Sequence, residues 1–341
     1  MHVWKESNIV VQSSTMPRKK TAPVKRSLDR SVAGKDHRQT ARKIFVVEEK
    51  SDYVVIATQG KRRSMEDEYN VIVDEMSSGY NYFGVFDGHG GSECSSFCKR
   101  TLLPAIKENI SSGKQSIQQA VRDGFISIDE KYCRICEDDE SRVDGSTATV
   151  VVHDTANSEL HIGQVGDSRA FVVNRVGAAI NLHDIHLPTV EEEKKRILAL
   201  GGQLKADSSG VLRVEGVLMV SRSIGDSYLK KFVTGHPSTH VYKICTSRPK
   251  SPGIDPTNAL SDEPGDIFLV LGTDGLFDYI QPSEMAKLLS KCDNVDEVRS
   301  CCETAVCTAL ARGSEDNITI LVAPLVPSLK RARKESSICE D

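Results

Sequence analysis

Apolar positions along this chain recur in two rhythms, and the rhythms alternate in blocks. Short runs rich in β-branched and aromatic residues predict strands over 52–57, 69–73 and 81–86, the last ending abruptly in Asp87-Gly88-His89-Gly90-Gly91. Helical spacing then takes over. A helix is predicted over 92–110, and Ile117, Val121, Phe125, Ile128, Tyr132 and Ile135 place a second over roughly 117–137. Strands return over 146–153, 160–165 and 170–174, a meander broken by Gly166-Asp167-Ser168 and polar turns. Residues 191–200 predict a short helix stopped by Gly201-Gly202. Strands over 266–272 and 317–322 close the body, with helices over 284–291 and 295–312 between them. Runs of strands, paired helices and strands again predict an α+β layered domain, and no internal repeat is visible.

Composition narrows the class. With 341 residues, 39% of them hydrophobic and 27% charged, the chain has enough apolar material for a sizeable core. No stretch approaches the ~18 apolar residues of a spanning helix, so no membrane association is expected. The first residues lack the apolar run and small-residue cleavage site of a secretory signal, and the ten cysteines are expected to be reduced thiols of an intracellular protein. Cys133 and Cys136 form a lone C-x-x-C without a second Cys/His pair, and with Cys94 and Cys98 they are read as thiols packed on helices.

Charge is uneven. Residues 1–43 carry eleven Lys/Arg against three acids, while the remainder holds 33 basic and 45 acidic residues. A basic leader with too little apolar surface to offset its ordering entropy is expected to be disordered. The body is assigned to 52–325, and a tail over 326–341 is basic, then acidic. The basic clusters at 18–26 and 330–334 suit either import signals or solvated tails, placing the chain in the cytoplasm, the nucleus or both. An acidic body argues against nucleic acid as the main ligand.

The candidate chemistry sits at the predicted strand ends. Phe86-Asp87-Gly88, Val165-Gly166-Asp167 and Leu271-Gly272-Thr273-Asp274-Gly275 end strands in an acid and a tight turn, while Glu66-Asp67 precedes one strand and Asp316-Asn317 opens another. One Asp-Gly is ordinarily a plain turn. Several converging carboxylates form a cluster that is unfavourable unless protonated or neutralised by cations. Oxygen ligands without neighbouring His or Cys suit Mg2+ or Mn2+, and a pair of such ions can generate hydroxide for an in-line displacement at phosphorus. No Walker-type loop, dinucleotide-binding glycine pattern, kinase H-R-D or D-F-G element, nucleophile elbow or C-x5-R turn is present, so attack by water is expected.

Seven segments carry a family resemblance: Gly60-Lys61-Arg62-Arg63-Ser64-Met65-Glu66-Asp67, Val85 to Gly91, Asp144-Gly145-Ser146-Thr147-Ala148, Gly166-Asp167-Ser168-Arg169, Ser221-Arg222-Ser223-Ile224-Gly225-Asp226, Thr273-Asp274-Gly275 and Asp316-Asn317-Ile318-Thr319. In this order they resemble the metal-dependent, type 2C protein serine/threonine phosphatases over residues 52–325. The resemblance implies a sandwich of two antiparallel sheets flanked by helix pairs, an α/β/β/α fold with metals at one edge. It implies hydrolysis of phosphoserine and phosphothreonine by water or hydroxide bridging two Mg2+ or Mn2+ ions, without a phosphoenzyme. Asp87 then resembles the bridging ligand, Gly88 a carbonyl ligand, Asp274 and Asp316 the other direct ligands, and Glu66 and Asp67 holders of coordinated water. Arg62 matches the phosphate-binding arginine, with Arg63 read as a surface residue. His89 matches the proposed general acid, against the alternative of a turn histidine. Asp167 resembles a ligand of a weaker third site, or caps its turn.

Two positions depart from the pattern. Leu187 stands where many members have lysine after the histidine, and Glu215 stands where many have asparagine, so its carboxylate either repels a phosphosubstrate or faces solvent. Every metal-ligand position is kept, so an active monomeric enzyme on phosphoprotein substrates is expected. Two rivals remain: a catalytically inactive scaffold of the same fold that binds partner proteins, and a nucleic-acid-associated protein with a regulatory body.

Overall fold

A computed structural model describes residues 9–13, 25–26, 43–50, 52–73, 79–139, 141–246 and 265–326. Two sheets dominate it, antiparallel apart from one strand pair. The larger has eight strands in the spatial order Ala179–Asn181, Arg169–Asn174, Asp266–Gly272, Ile318–Pro324, Tyr53–Thr58, Lys43–Lys50, Ile9–Ser13 and Lys25–Arg26. The smaller has five: Ser238–Lys243, Glu159–Val165, Ala148–Asp154, Tyr80–Phe86 and Glu68–Val73.

Alternating side chains of the central strands serve two cores, because successive residues of a strand point to opposite faces. Tyr53, Val55, Leu269, Leu271 and Leu321 face Phe83, Val85, Val151, Leu160 and Ile162 of the other sheet, and these fill the sandwich. Val54, Ile56, Phe268, Val270, Ile320 and Val322 face outward onto α4 (Asp274–Phe277), α5 (Pro282–Leu289) and α6 (Val295–Ala311). Tyr82, Phe86, Val150 and Val152 of the smaller sheet face α1 (Glu93–Ser111) and α2 (Ile117–Asp138) in the same way. Strands buried on both faces have no polar side to show, which is why they read as continuous apolar runs. The layers are α/β/β/α, as the sequence resemblance implies.

Most of the predicted elements appear within two residues of their expected ends. On α2, Val121, Phe125, Ile128 and Tyr132 are buried as spaced, but Ile135 is exposed and Cys136 takes the inward position. Cys94, Cys98 and Cys136 are buried on their helices and Cys133 is half-buried. The strand Lys43–Lys50, the strand Ser238–Lys243 and the hairpin Leu204–Ala206/Leu212–Val214 are absent from the sequence reading. Within the leader read as disordered, Ile9–Ser13 pairs parallel to Lys43–Lys50 and antiparallel to Lys25–Arg26. The rest of the leader, most of the 18–26 cluster and the 330–334 cluster lie outside the described residues. No described helix is long and apolar enough to cross a membrane.

Candidate active site

Antiparallel register gathers the acid-bearing turns at one end of the sandwich. In the smaller sheet Glu68 pairs with Phe86, and Val165 pairs with Ala148. In the larger, Gly272 pairs with Ile320, and Ile318 with Thr58. The turns beyond these pairs therefore share an edge. They line a cavity of about 560 Å³ whose wall includes Arg62, Glu66, Asp87, Gly88, His89, Asp167, Asp274, Asp316 and Asn317. Asp67 lies just behind it, 3% exposed, its Oδ2 accepting from Thr273 Oγ1 at 2.9 Å. All nine sequence-predicted site residues are thus brought together, although Asp67 is not part of the cavity surface.

Close backbone approach makes this possible. A Cβ on Gly88 would sit 2.5 Å from the Glu66 carbonyl oxygen and 2.8 Å from Ser95 Oγ, and the Gly88 amide donates to that same carbonyl at 3.2 Å. A Cβ on Gly275 would meet the Asn317 carbonyl oxygen at 2.0 Å, so glycine lets the Asp274 turn press against Asp316-Asn317. Asn317 then ties the loop beneath Arg62. Its Oδ1 accepts from the Glu66 amide at 2.7 Å, and its Nδ2 donates to the carbonyls of Gln59 and Ser64.

The acids perturb one another. Burial pushes the Asp87 carboxyl well above the usual range, and the charges of Asp67, Asp274 and Asp167 add to that. Asp67 is raised to about 7 by burial and by Asp274 and Asp316, against the lowering effect of the Thr319 and Thr273 hydroxyls. Asp167 is also raised to about 7, by burial first and then by Asp274 and Asp278. Asp274 is raised by burial, Asp316 and Asp278. Carboxylates crowded out of water hold protons or need cations. Asp67 Oδ1 is buried with no well-formed hydrogen bond, an acceptor left for a donor or cation. Among the described residues no three of these side chains form a finished coordination sphere. Arg62 Nη2 lies 2.5 Å from Asp316 Oδ2. The all-oxygen donor set, its mutual repulsion and the orphaned Asp67 oxygen fit a hard divalent ion such as Mg2+ or Mn2+.

His89 Nε2 is 2.8 Å from Asp226 Oδ2. Burial pulls the imidazole down, but the bond to Asp226 and the charges of Asp226, Asp167 and Asp144 outweigh it, leaving His89 above its ordinary value. Asp226 is fully buried in a left-handed conformation, with Ser223 Oγ donating to the same oxygen at 2.5 Å. The sequence motifs include Asp226 and Asn317 without a task for either, and Asp278 lies outside them. Asn317 alone carried a usable sign, as a polar residue at the mouth of an otherwise apolar strand.

The neighbouring hairpin strand Leu212–Val214 and the segment that follows it supply Arg213, Leu218, Met219 and Val220 to the cavity wall. Glu215 does not join them. Its carboxylate turns away to accept from the Gln203 amide at 2.6 Å, and its backbone is left-handed (φ 53°), a conformation in which asparagine is at ease. The second departure, Leu187, is half-buried, and its carbonyl closes a turn with the Val190 amide.

Residues 51–318 match the family model for Protein phosphatase 2C. The chain belongs to the protein phosphatase 2C family. It is 33% identical over 302 residues to Probable protein phosphatase 2C 30 of Arabidopsis thaliana, covering 84% of this chain and 70% of that relative. It is 34% identical over 265 residues to Probable protein phosphatase 2C 52 of Oryza sativa subsp. japonica, covering 77% of this chain and 48% of the relative. Some curated relatives are thus about twice as long as the part this chain matches. Among solved structures, a Caenorhabditis elegans sex determining protein superposes with a TM-score of 0.70 at 25% identity, covering 81% of this chain and 65% of that one. A serine-threonine phosphatase 2C from Toxoplasma gondii shares the fold with a TM-score of 0.66 at 21% identity, covering 80% and 94%.

Proposed function

We propose that this chain is a protein serine/threonine phosphatase that hydrolyses phosphoserine and phosphothreonine on other proteins with water as nucleophile. The cofactors are two Mg2+ or Mn2+ ions, with a weaker third. Asp87, Asp274, Asp316 and the Gly88 carbonyl would hold the two ions directly, Glu66 and Asp67 through water, and Asp167 the third. Bound there, the ions supply charge neutralisation and activation of water at neutral pH.

The chain's own groups supply the rest. The Arg62 guanidinium, now on Asp316, presents a planar fork that suits two phosphoryl oxygens, and a phosphate entering the cavity competes with the carboxylate for it. Asp226 holds Nε2 of His89, which leaves Nδ1 to pass a proton to the departing seryl or threonyl oxygen. The observation that carries this reading is the gathering of Asp87, Asp167, Asp274 and Asp316 around one cavity, with Asp67 buried just behind it and an arginine and a histidine at its wall. No acid of the set is missing, so nothing favours the inactive scaffold. We also propose that the chain acts as an intracellular monomer, in the cytoplasm, the nucleus or both.

The purified chain is expected to release phosphate from a phosphothreonine peptide when Mg2+ or Mn2+ is supplied and to stop in EDTA. Undiminished hydrolysis in EDTA overturns the metal reading. His89→Ala is expected to slow the peptide far more than an aryl phosphate, whose leaving group needs less protonation, and equal slowing of both refutes the general acid.

A further inference from the structure

A pair of sulfurs lies outside the catalytic cavity, on the helical layer that covers the larger sheet. Cys292 sits three residues beyond the end of α5, and Cys301 sits in the second turn of α6. Their Sγ atoms are 3.3 Å apart, and both thiols also approach the Leu288 carbonyl. A disulfide needs roughly 2.05 Å between sulfurs, so a small side-chain rotation closes the gap. The two are unequal in access: Cys292 is 5% exposed, whereas Cys301 is half-buried and reachable from solvent. The neighbouring Cys302 points into the core and is fully buried. Cys94 and Cys98, the other close pair, are both fully buried on α1, beyond the reach of an oxidant.

We propose that Cys292 and Cys301 form a reversible dithiol–disulfide pair, oxidised by hydroperoxides and restored by small thiols. The attacking group is Cys301. Its thiol is held down at about 7, chiefly by the hydrogen bond from Cys292 and also by the Lys291 charge, against burial and Glu297. Cys292 is pushed up by that bond, by burial and by the neighbouring thiols, so it keeps its proton and serves as the resolving thiol. Thiolate, not thiol, is the nucleophile, and a cysteine with this inequality has one at neutral pH.

The electrons balance with a hydroperoxide as oxidant. The Cys301 thiolate attacks the peroxide oxygen, the O–O bond breaks, and the leaving oxygen departs with a proton as water or alcohol while Cys301 becomes a sulfenic acid. The Cys292 sulfur then attacks the Cys301 sulfur. The S–O bond breaks, the Cys292 proton leaves with the hydroxide as water, and an S–S bond forms. Two thiols have supplied the two electrons that reduced one peroxide. The new bond closes the loop from 292 to 301, which contains Asn294, the residue that caps α6 by accepting from the Glu297 amide at 3.0 Å. Closing it restricts the unfolded chain and fastens α5 to α6.

The test treats the full-length protein with hydrogen peroxide near pH 7, blocks remaining thiols with N-ethylmaleimide and digests with trypsin. Cleavage after Lys291, Arg299 and Arg312 separates residues 292–299 from 300–312. The expected product is these two peptides joined, two hydrogens lighter than their sum apart from any N-ethylmaleimide added at Cys302 and Cys307, lost on treatment with dithiothreitol, and accompanied by a higher thermal midpoint of the oxidised protein. Cys301→Ser is expected to abolish the link and Cys302→Ser to leave it intact. Recovery of peptide 292–299 fully alkylated after oxidation overturns the proposal, as does a link that persists in Cys301→Ser and vanishes in Cys302→Ser. Because the readout is a covalent bond and not phosphate release, the result stands apart from the phosphatase reading.

Discussion

Each proton removed from Asp67, Asp87, Asp167 or Asp274 makes the next harder to remove, and this single-residue chemistry has a sign that stability measurements can read. All four carboxyls are raised in the folded protein, Asp67 and Asp167 to about 7. The folded state thus binds more protons than the unfolded chain between the ordinary carboxylate range and neutrality, and stability falls as pH rises through that window. In EDTA, the unfolding free energy is expected to drop between about pH 4 and 7, by on the order of a few kcal/mol, with a falling thermal midpoint, and Mg2+ is expected to restore both. Asp87→Asn takes one ionisable acid out of the crowded cluster, so in EDTA at pH 7 it is expected to melt higher than the wild type while losing phosphatase activity. A metal-free midpoint that climbs over this window contradicts the cluster. Gly88→Ala forces a methyl against the Glu66 carbonyl and is expected to cost about 1–3 kcal/mol by denaturant titration, with loss of activity. These acids were legible in the sequence because each ends or opens a strand at a turn. The holding roles of Asp226 and Asn317 were not, although both residues stand in the quoted motifs, because holding other groups leaves no spacing signature.

At the scale of elements, α3 (Glu191–Ala199) anchors the wall that carries Arg213 and Met219. Glu193, 3% exposed, accepts from Arg222 at 2.5 and 3.0 Å and from Arg196 at 2.8 and 3.3 Å, while Arg196 also donates to the Ser221 and Phe232 carbonyls. The arginine bonds hold the Glu193 carboxyl at about 2, against the burial that would raise it. Glu193→Ala leaves two guanidinium groups half-buried without their anion. It is expected to destabilise by about 3 kcal/mol in denaturant melts and to raise KM for peptides more than it lowers kcat. A loss of less than about 1 kcal/mol would mean that water replaces the carboxylate. The helices and central strands were readable because burial on one stripe or both faces writes a period into the chain. The strand Ser238–Lys243 was missed because it is an edge strand, mostly polar and exposed, and carries almost no period. The hairpin strands are three residues each, too short for one.

Across the whole molecule, the sandwich serves as a frame that aligns strand ends, and the resemblance conveyed that frame where periodicity yielded only an α+β layering. Residue spacing cannot say which strands are neighbours. That Tyr53–Thr58 lies beside Ile318–Pro324 is a fact of register between segments more than 250 positions apart. The same distance separates Arg62 from Asp316 and Glu66 from Asn317. Such a pocket cannot assemble before its last strand has been made: a nascent polypeptide carries Arg62 and Asp87 long before Asp316 and the strand it opens exist. Protein ending at Gly313 is accordingly expected to show no phosphate release, and activity during synthesis should switch on only once Ile318–Pro324 has been made, giving the cell no half-built phosphatase to restrain.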